Sequence, residues 1–251
     1  FSIVPQNYDA SQENFASSNA NGTGPFEITL REANTKTVFK KNRKWWGNVE
    51  HNLDSIELLP IANATTRVAA LLSGELDIVT DAPVQDLALI GNSPGHKVIS
   101  VEQMRTIFLG MDQAVDQLRS GNTGDNPFKK KEVRQALYQA IDIEAIKEKV
   151  MRNLSSPAGI ITFPGVTGYT KELDKRLPYD VEAAKKLLAD AGYPDGFDVE
   201  LRCPNDRYVN DEAICTAVVG MFGKIGVNVS LNSQTKSKHF KELKNDKGDF
   251  Y

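Results

Sequence analysis

The spacing of apolar and polar residues divides the chain into short strands and helices. "FEITL" and "TVFKK" carry strand-forming residues on either side of "EANTK", so residues 26–46 predict a hairpin. "DSIELLPI" predicts a further strand. In "NATTRVAALLSGEL", Val68, Leu71 and Leu72 share one face of a short helix that Asn63 can cap and Gly74 can end. "DIVTD", a second helix from about Val84, then "HKVISV" and "RTIFLGM" carry the strand-and-helix pattern to Asp112. The polar, glycine-containing stretch "DQLRSGNTGDNP" then marks a domain border.

Beyond that border the helices lengthen. Val133, Leu137, Ala140 and Ile141 keep helical spacing, and Asp142 can cap a following helix in which Ile146 and Val150 recur four residues apart. From Asp180, the residues Val181, Ala184, Leu187, Leu188 and Ala191 form another stripe that stops at Gly192. "FDVELRC" reads as a strand. A helix from about Val209, with Ile214, Val218, Met221 and Ile225 on one face, leads through Gly226 into the strand "VNVSLNS". Both halves are therefore α/β, without internal repeats or low-complexity tracts.

Composition narrows the class. With 251 residues, 40% hydrophobic and 25% charged, the chain is globular and large enough for one big domain or two ordinary ones. A net charge of -3 gives no electrostatic reason to bind nucleic acid. No apolar run reaches the ~20 residues of a membrane span. Phe1 is not an initiator methionine and no signal-peptide pattern follows it, while "KGDFY" stops on what reads as the start of an apolar strand. The expectation is a fragment cut at both ends, with any export signal outside it.

Candidate chemistry is sparse. His51, His96 and His239 are dispersed, and no HExxH, Cys-x-x-Cys, nucleophile elbow or phosphate-binding glycine loop occurs, so neither catalysis, a metal site nor a cofactor has support. "FKKNRKWWG" places four basic residues beside Trp45 and Trp46. Base stacking with phosphate contacts is one reading, but a hairpin with a solvated basic end and indoles over its apolar side explains the same residues.

"CPNDRYVNDEAIC" holds both cysteines, Cys203 and Cys215, twelve positions apart. They are either a disulfide from a strand end to the second turn of the next helix, worth roughly 3 kcal/mol, or two buried thiols. The polar residues between them lie at a strand exit and helix start, where α/β sheets bind ligands. Arg207 can clamp a carboxylate, Asp206 can take an ammonium, Tyr208 can pack on a side chain and Asn205 can bond an amide. The competing reading is a self-satisfied cap: Asn210 or Asp211 ends the helix, and Arg207 pairs with Asp206 or Asp211 in water for ~0–1 kcal/mol.

Seven ordered stretches, "GTGPF", "WWG", "TTRVAALLSGELDI", "RQALYQAID", "YDVEAAKKLLADAGYPDGF", "IGVNVSLNS" and "GDF", resemble the family 5 extracellular solute-binding proteins, the peptide and nickel receptors of ABC importers. The resemblance implies an α/β, two-lobed periplasmic binding protein fold of type II (cluster C), present as an incomplete first lobe and most of the second. Residues 1–110 would be part of lobe I, a mixed sheet with short helices, and 111–251 a C-terminally truncated, lobe III-like α/β domain. A hinge would lie at Phe108, Leu109, Gly110, Met111 and Asp112. The loop Asn205–Tyr208 resembles the one that faces a peptide's C-terminal portion, with Arg207 as carboxylate partner. Arg105 is a secondary candidate, by analogy with nickel receptors, although a structural tie between strand and lobe also explains it. The implied protein is a non-enzymatic, monomeric receptor without cofactor, periplasmic or exported to the cell surface. It passes short peptides, or alternatively a nickel chelate, opine or oligosaccharide, to a membrane permease; an exported hydrolase is the remaining alternative.

Overall fold

The computed structural model describes residues 22–101, 103–245 and 248–251. These fall into two compact units, one ending at Arg67 and the other running from Val68 to Tyr251. The expected lobe border near residue 110 is a different division from this one. Residues 68–110 lie with the larger unit, and the division falls inside a helix that local pattern alone reads as unbroken.

The first unit is an antiparallel sheet of β1 (Phe26–Glu32), β2 (Lys36–Lys41) and β3 (Ser55–Leu58), in that order. The expected hairpin turns at Asn34, whose φ of 60° suits an asparagine. Helix α1 (Ala64–Leu72) starts where its sequence demands: the Asn63 Oδ1 accepts the Thr66 N–H at 2.9 Å.

In the larger unit, α2 (Leu87–Asn92) is followed by α3 (Lys131–Ala140), then α4 (Ile143–Ala145) and α5 (Val181–Asp190). Asp142 and Asp180 cap α4 and α5 by accepting the amides of Ala145 and Ala183. After Ala145 the coil widens into a π-turn over Ile146–Val150, so the helix expected there is not a regular α-helix. Strand β4 (Asp198–Pro204), helix α6 (Asp211–Gly223) and strand β5 (Asn228–Gln234) form a β-α-β unit with the two strands parallel. Pro204 closes β4 as its last residue instead of following it. Helix α7 (Lys236–Lys244) ends the series; its polar sequence carries no apolar stripe.

Alternation along β4 buries Val199, Leu201 and Cys203 and leaves Glu200 and Arg202 on the opposite side. Against the buried side pack Val133, Ala136, Leu137 and Ala140 of α3, Leu188 of α5, and Val218 and Phe222 of α6. Phe250 is fully buried among them, its ring 5.2 Å from Phe128 and 5.9 Å from Phe222. Each such phenyl contributes about 1.5–3 kcal/mol of burial.

The strands expected in "DIVTD", "HKVISV" and "RTIFLGM" form no ladder among the described residues, apart from a single bridge at Met111. Ile99, Val101 and Met104 are 78%, 76% and 74% exposed. The residue pattern carries the capacity for a strand, but a strand exists only through a hydrogen-bonded partner, and before Gly110 none of the described segments supplies one.

Candidate functional site

The loop after β4 is built by its own backbone. Asn205 donates its N–H to the Gln234 carbonyl at 3.0 Å, continuing the β4–β5 pairing one step past the strand. Asp206 turns one carboxylate oxygen onto the Lys236 N–H at 2.5 Å, tying the loop to the first turn of α7. Asp211, buried at the start of α6, accepts the amides of Arg207 at 2.9 Å and Tyr208 at 3.0 Å on one oxygen and that of Glu212 on the other. Asn210 bends the chain through the left-handed region at φ 55° and donates its side-chain amide to Val150. These bonds satisfy the backbone amides of Asn205, Arg207 and Tyr208 within the fold. They leave the side chains of Arg207 and Tyr208 as the groups presented outward.

Beneath the loop, Cys203 and Cys215 are joined in a disulfide with their Cα atoms 6.5 Å apart. The bond staples the end of β4 to the second turn of α6, which resolves the cysteines in favour of the disulfide over two thiols.

Arg105, far away in sequence, meets the same loop. Its guanidinium carbon stands 5.8 Å from the centre of the Tyr208 ring, and that of Arg207 stands 5.0 Å from it. Arg105 and Arg207 are both exposed. Neither guanidinium has a carboxylate partner among the described residues. The expected surface pairing of Arg207 with Asp206 or Asp211 is absent there: Asp211 holds the Arg207 amide instead, and Asp206 faces α7. The structure therefore gathers Arg105, Arg207 and Tyr208, with Asn205 and Asp206 as exposed neighbours.

The segment expected as a hinge runs beside the last described residues. Gly110 and Tyr251 exchange backbone hydrogen bonds at 2.5 and 3.0 Å, Met111 bridges Phe250 antiparallel, and the Asp112 N–H reaches the Asp249 carbonyl at 2.8 Å. Phe250 in turn accepts the Arg202 N–H, which sets this pair of segments alongside β4. The Asp249 side chain, 1% exposed, accepts from Arg119 at 2.8 Å, from the Ser120 N–H at 2.8 Å and from the Ser120 hydroxyl at 3.1 Å. Arg119 also reaches Asp112 at 2.9 Å, so a single guanidinium ties both segments together. Burial opposes ionisation of Asp112, yet Arg119 and the Ala114 amide hold its carboxyl below the usual carboxylate range. Asp112 and Asp249 together raise the pKa of Arg119. Sequence reading passed over Arg119 and Asp249, since no local pattern links residues so far apart in the chain.

In the smaller unit Trp46 is 83% exposed. The indoles therefore do not jointly cover the hairpin: Trp45 alone folds back, over Gly47, where a Cβ would come within 2.7 Å of its ring.

The larger unit thus presents a β-α-β unit whose strand-exit loop is stapled by a disulfide and carries Arg207 and Tyr208. AgaA from A. tumefaciens R10, solved with agropinic acid, superposes with a TM-score of 0.70 at 29% identity, over 94% of this chain and 46% of AgaA. The fold is thus the α/β fold of the family 5 periplasmic binding proteins over part of their length. The chain belongs to the bacterial extracellular solute-binding proteins, family 5 (middle), whose family model matches residues 1–251. Heme-binding protein A of Haemophilus influenzae is 29% identical over 215 residues, covering 83% of this chain and 37% of that protein. Glutathione-binding protein GsiB of Salmonella typhimurium is 28% identical over 180 residues, covering 72% of this chain and 33% of GsiB. The chain therefore spans well under half the length of these relatives.

Proposed function

We propose that this chain is part of the solute receptor of an ABC importer, which captures short peptides in an aqueous cleft and delivers them to a membrane permease. The receptor is non-enzymatic, monomeric, and works in the periplasm or at the cell surface. The observation that carries the reading is the meeting of Arg207 and Arg105 at Tyr208, on a loop whose backbone is already satisfied. Arg207 is the carboxylate partner; Tyr208, Asn205 and Asp206 line the same corner. A peptide terminus held by charge-assisted hydrogen bonds gains on the order of 1.5–3 kcal/mol per bond, largely independent of its side chains.

Residues Phe108–Asp112 act as a hinge, with Asp249–Tyr251 as the returning segment, and ligand stabilises the closed form by its differential affinity for it. Family membership supports the receptor class. The name of GsiB supports a peptide, since glutathione is one. The likeness to AgaA favours one second reading, an opine as cargo.

Native mass spectrometry of the full-length receptor, purified without added ligand, tests the assignment. Peptides of a few residues are expected to leave with the protein on denaturation. An opine, a heme or a nickel chelate in their place would overturn the peptide reading, and cleavage of added peptides would overturn the receptor.

A further inference from the structure

Two cations sharing one phenol ring, with no carboxylate partner for either among the described residues, call for an explanation. The Arg105 and Arg207 guanidinium carbons lie 5.8 and 5.0 Å from the Tyr208 ring centre, so they are no further from each other than those two distances end to end. Like charges this close repel, and exposed arginines ordinarily relieve that by turning to a neighbouring carboxylate. The two acids nearest Arg207 in sequence do not serve. Asp211 is buried and holds three backbone amides, while Asp206 caps the first turn of α7 and forms no ion pair with either arginine. The Cys203–Cys215 bond and the Asp211 amide cluster fix the backbone that carries Arg207 and Tyr208, so the loop is held in a shape that keeps the Arg207 charge outward. The phenol ring, only partly exposed, stabilises both guanidiniums through its π face without neutralising either.

From this we infer that the site selects peptides whose C-terminal residue is itself acidic, so that one ligand residue brings two carboxylates to two arginines. A C-terminal glutamate or aspartate carries its α-carboxylate and side-chain carboxylate a few bonds apart, each able to accept the paired N–H donors of one guanidinium. A peptide with a neutral last residue satisfies one arginine and leaves the other unpaired. This specificity rests on the peptide-capture reading above and adds to it the charge of the ligand's end.

Isothermal titration of the full-length receptor with the dipeptides Ala-Glu and Ala-Gln tests it, the two being nearly equal in shape and differing by one charge. Ala-Glu is expected to bind roughly tenfold tighter or more, the return on an additional charge-assisted pair. That advantage is expected to vanish in Arg105→Gln and in Arg207→Gln, and to survive in part in the lysine variants, which keep the charge but lose the fork. All four variants change exposed side chains, and unaltered melting curves establish that they fold. Equal affinity for the two dipeptides, or an advantage that persists when either arginine is replaced by glutamine, overturns the acidic-end inference while leaving peptide capture standing. Failure of the native receptor to bind either dipeptide overturns both.

Discussion

At the scale of single residues, the buried polar groups around β5 and α7 make the most exact demand on the fold. His239 is 4% exposed and its Nδ1 has no partner among the described residues; nor have the two side-chain amide atoms of the buried Gln234. Burial disfavours the charged imidazole and Arg202 adds to that; Glu242 and Asp211 pull the other way, and the balance lowers its pKa below the ordinary 6.5. The folded protein thus prefers the neutral ring. As pH falls, the unfolded chain takes up its proton first, so the stability this residue contributes is present above about pH 6.5 and is lost as pH drops through that value toward the folded pKa. Urea titrations at stepwise lower pH should show the midpoint falling in this window, with a shallower fall in His239→Gln. An identical slope in the two proteins would exclude His239 as the source.

At the scale of elements, the β4–loop–α6 corner depends on its staple. Cys203 and Cys215 close a short loop of twelve positions, which contributes roughly 3 kcal/mol by restricting the unfolded chain. Replacing both by alanine should lower the urea midpoint by a corresponding amount, and thiol counting in denaturant should find no free thiol until a reductant is added. Detection of both thiols without reductant would remove the bond. The sequence could place the corner but not the bond, because residue identity carries no distance. What was legible elsewhere was local: Asn63, Asp142 and Asp180 sit at helix starts as their side chains dictate, and the alternation of "FDVELRC" appears as the buried Val199, Leu201 and Cys203. What was not legible was pairing. The apolar residues from Ile99 to Phe108 have strand character without a partner strand among the described residues, and α7 escaped notice because its single buried residue is a histidine. The site divides in the same way: Arg207 and Tyr208 stand out in their loop, whereas the approach of Arg105 comes from tertiary contact alone.

At the scale of the molecule, the proposed hinge turns on a single buried carboxylate. Segments Gly110–Asp112 and Asp249–Tyr251 run antiparallel with three backbone hydrogen bonds between them, too few to persist without side-chain support. That support has two parts. Phe250 inserts into the core of the larger unit, and Asp249 gathers Arg119 and both donors of Ser120. Arg119 then spans to Asp112 on the opposite segment, so both segments are anchored through one guanidinium. In the proposed hinge this pairing ties Gly110–Asp112 to the larger unit, while Ile107 and Phe108 just before it are exposed. Asp249→Asn keeps the shape but removes the charge, and its amide nitrogen has to face either Arg119 or the Ser120 donors, leaving at least one buried donor unmet. The expected loss is about 1–3 kcal/mol in denaturant unfolding, with a larger loss in Asp249→Ala, which leaves both Ser120 donors unmet and Arg119 with Asp112 alone. Hydrogen exchange should locate the effect: the Gly110, Asp112 and Tyr251 amides lose protection in Asp249→Asn, while the Val218 and Phe222 amides of α6 change only by the global loss. Uniform deprotection across both sets would show that Asp249 supports the domain at large and not the paired segments, and unchanged protection at Gly110 and Tyr251 would show that Phe250 alone holds them.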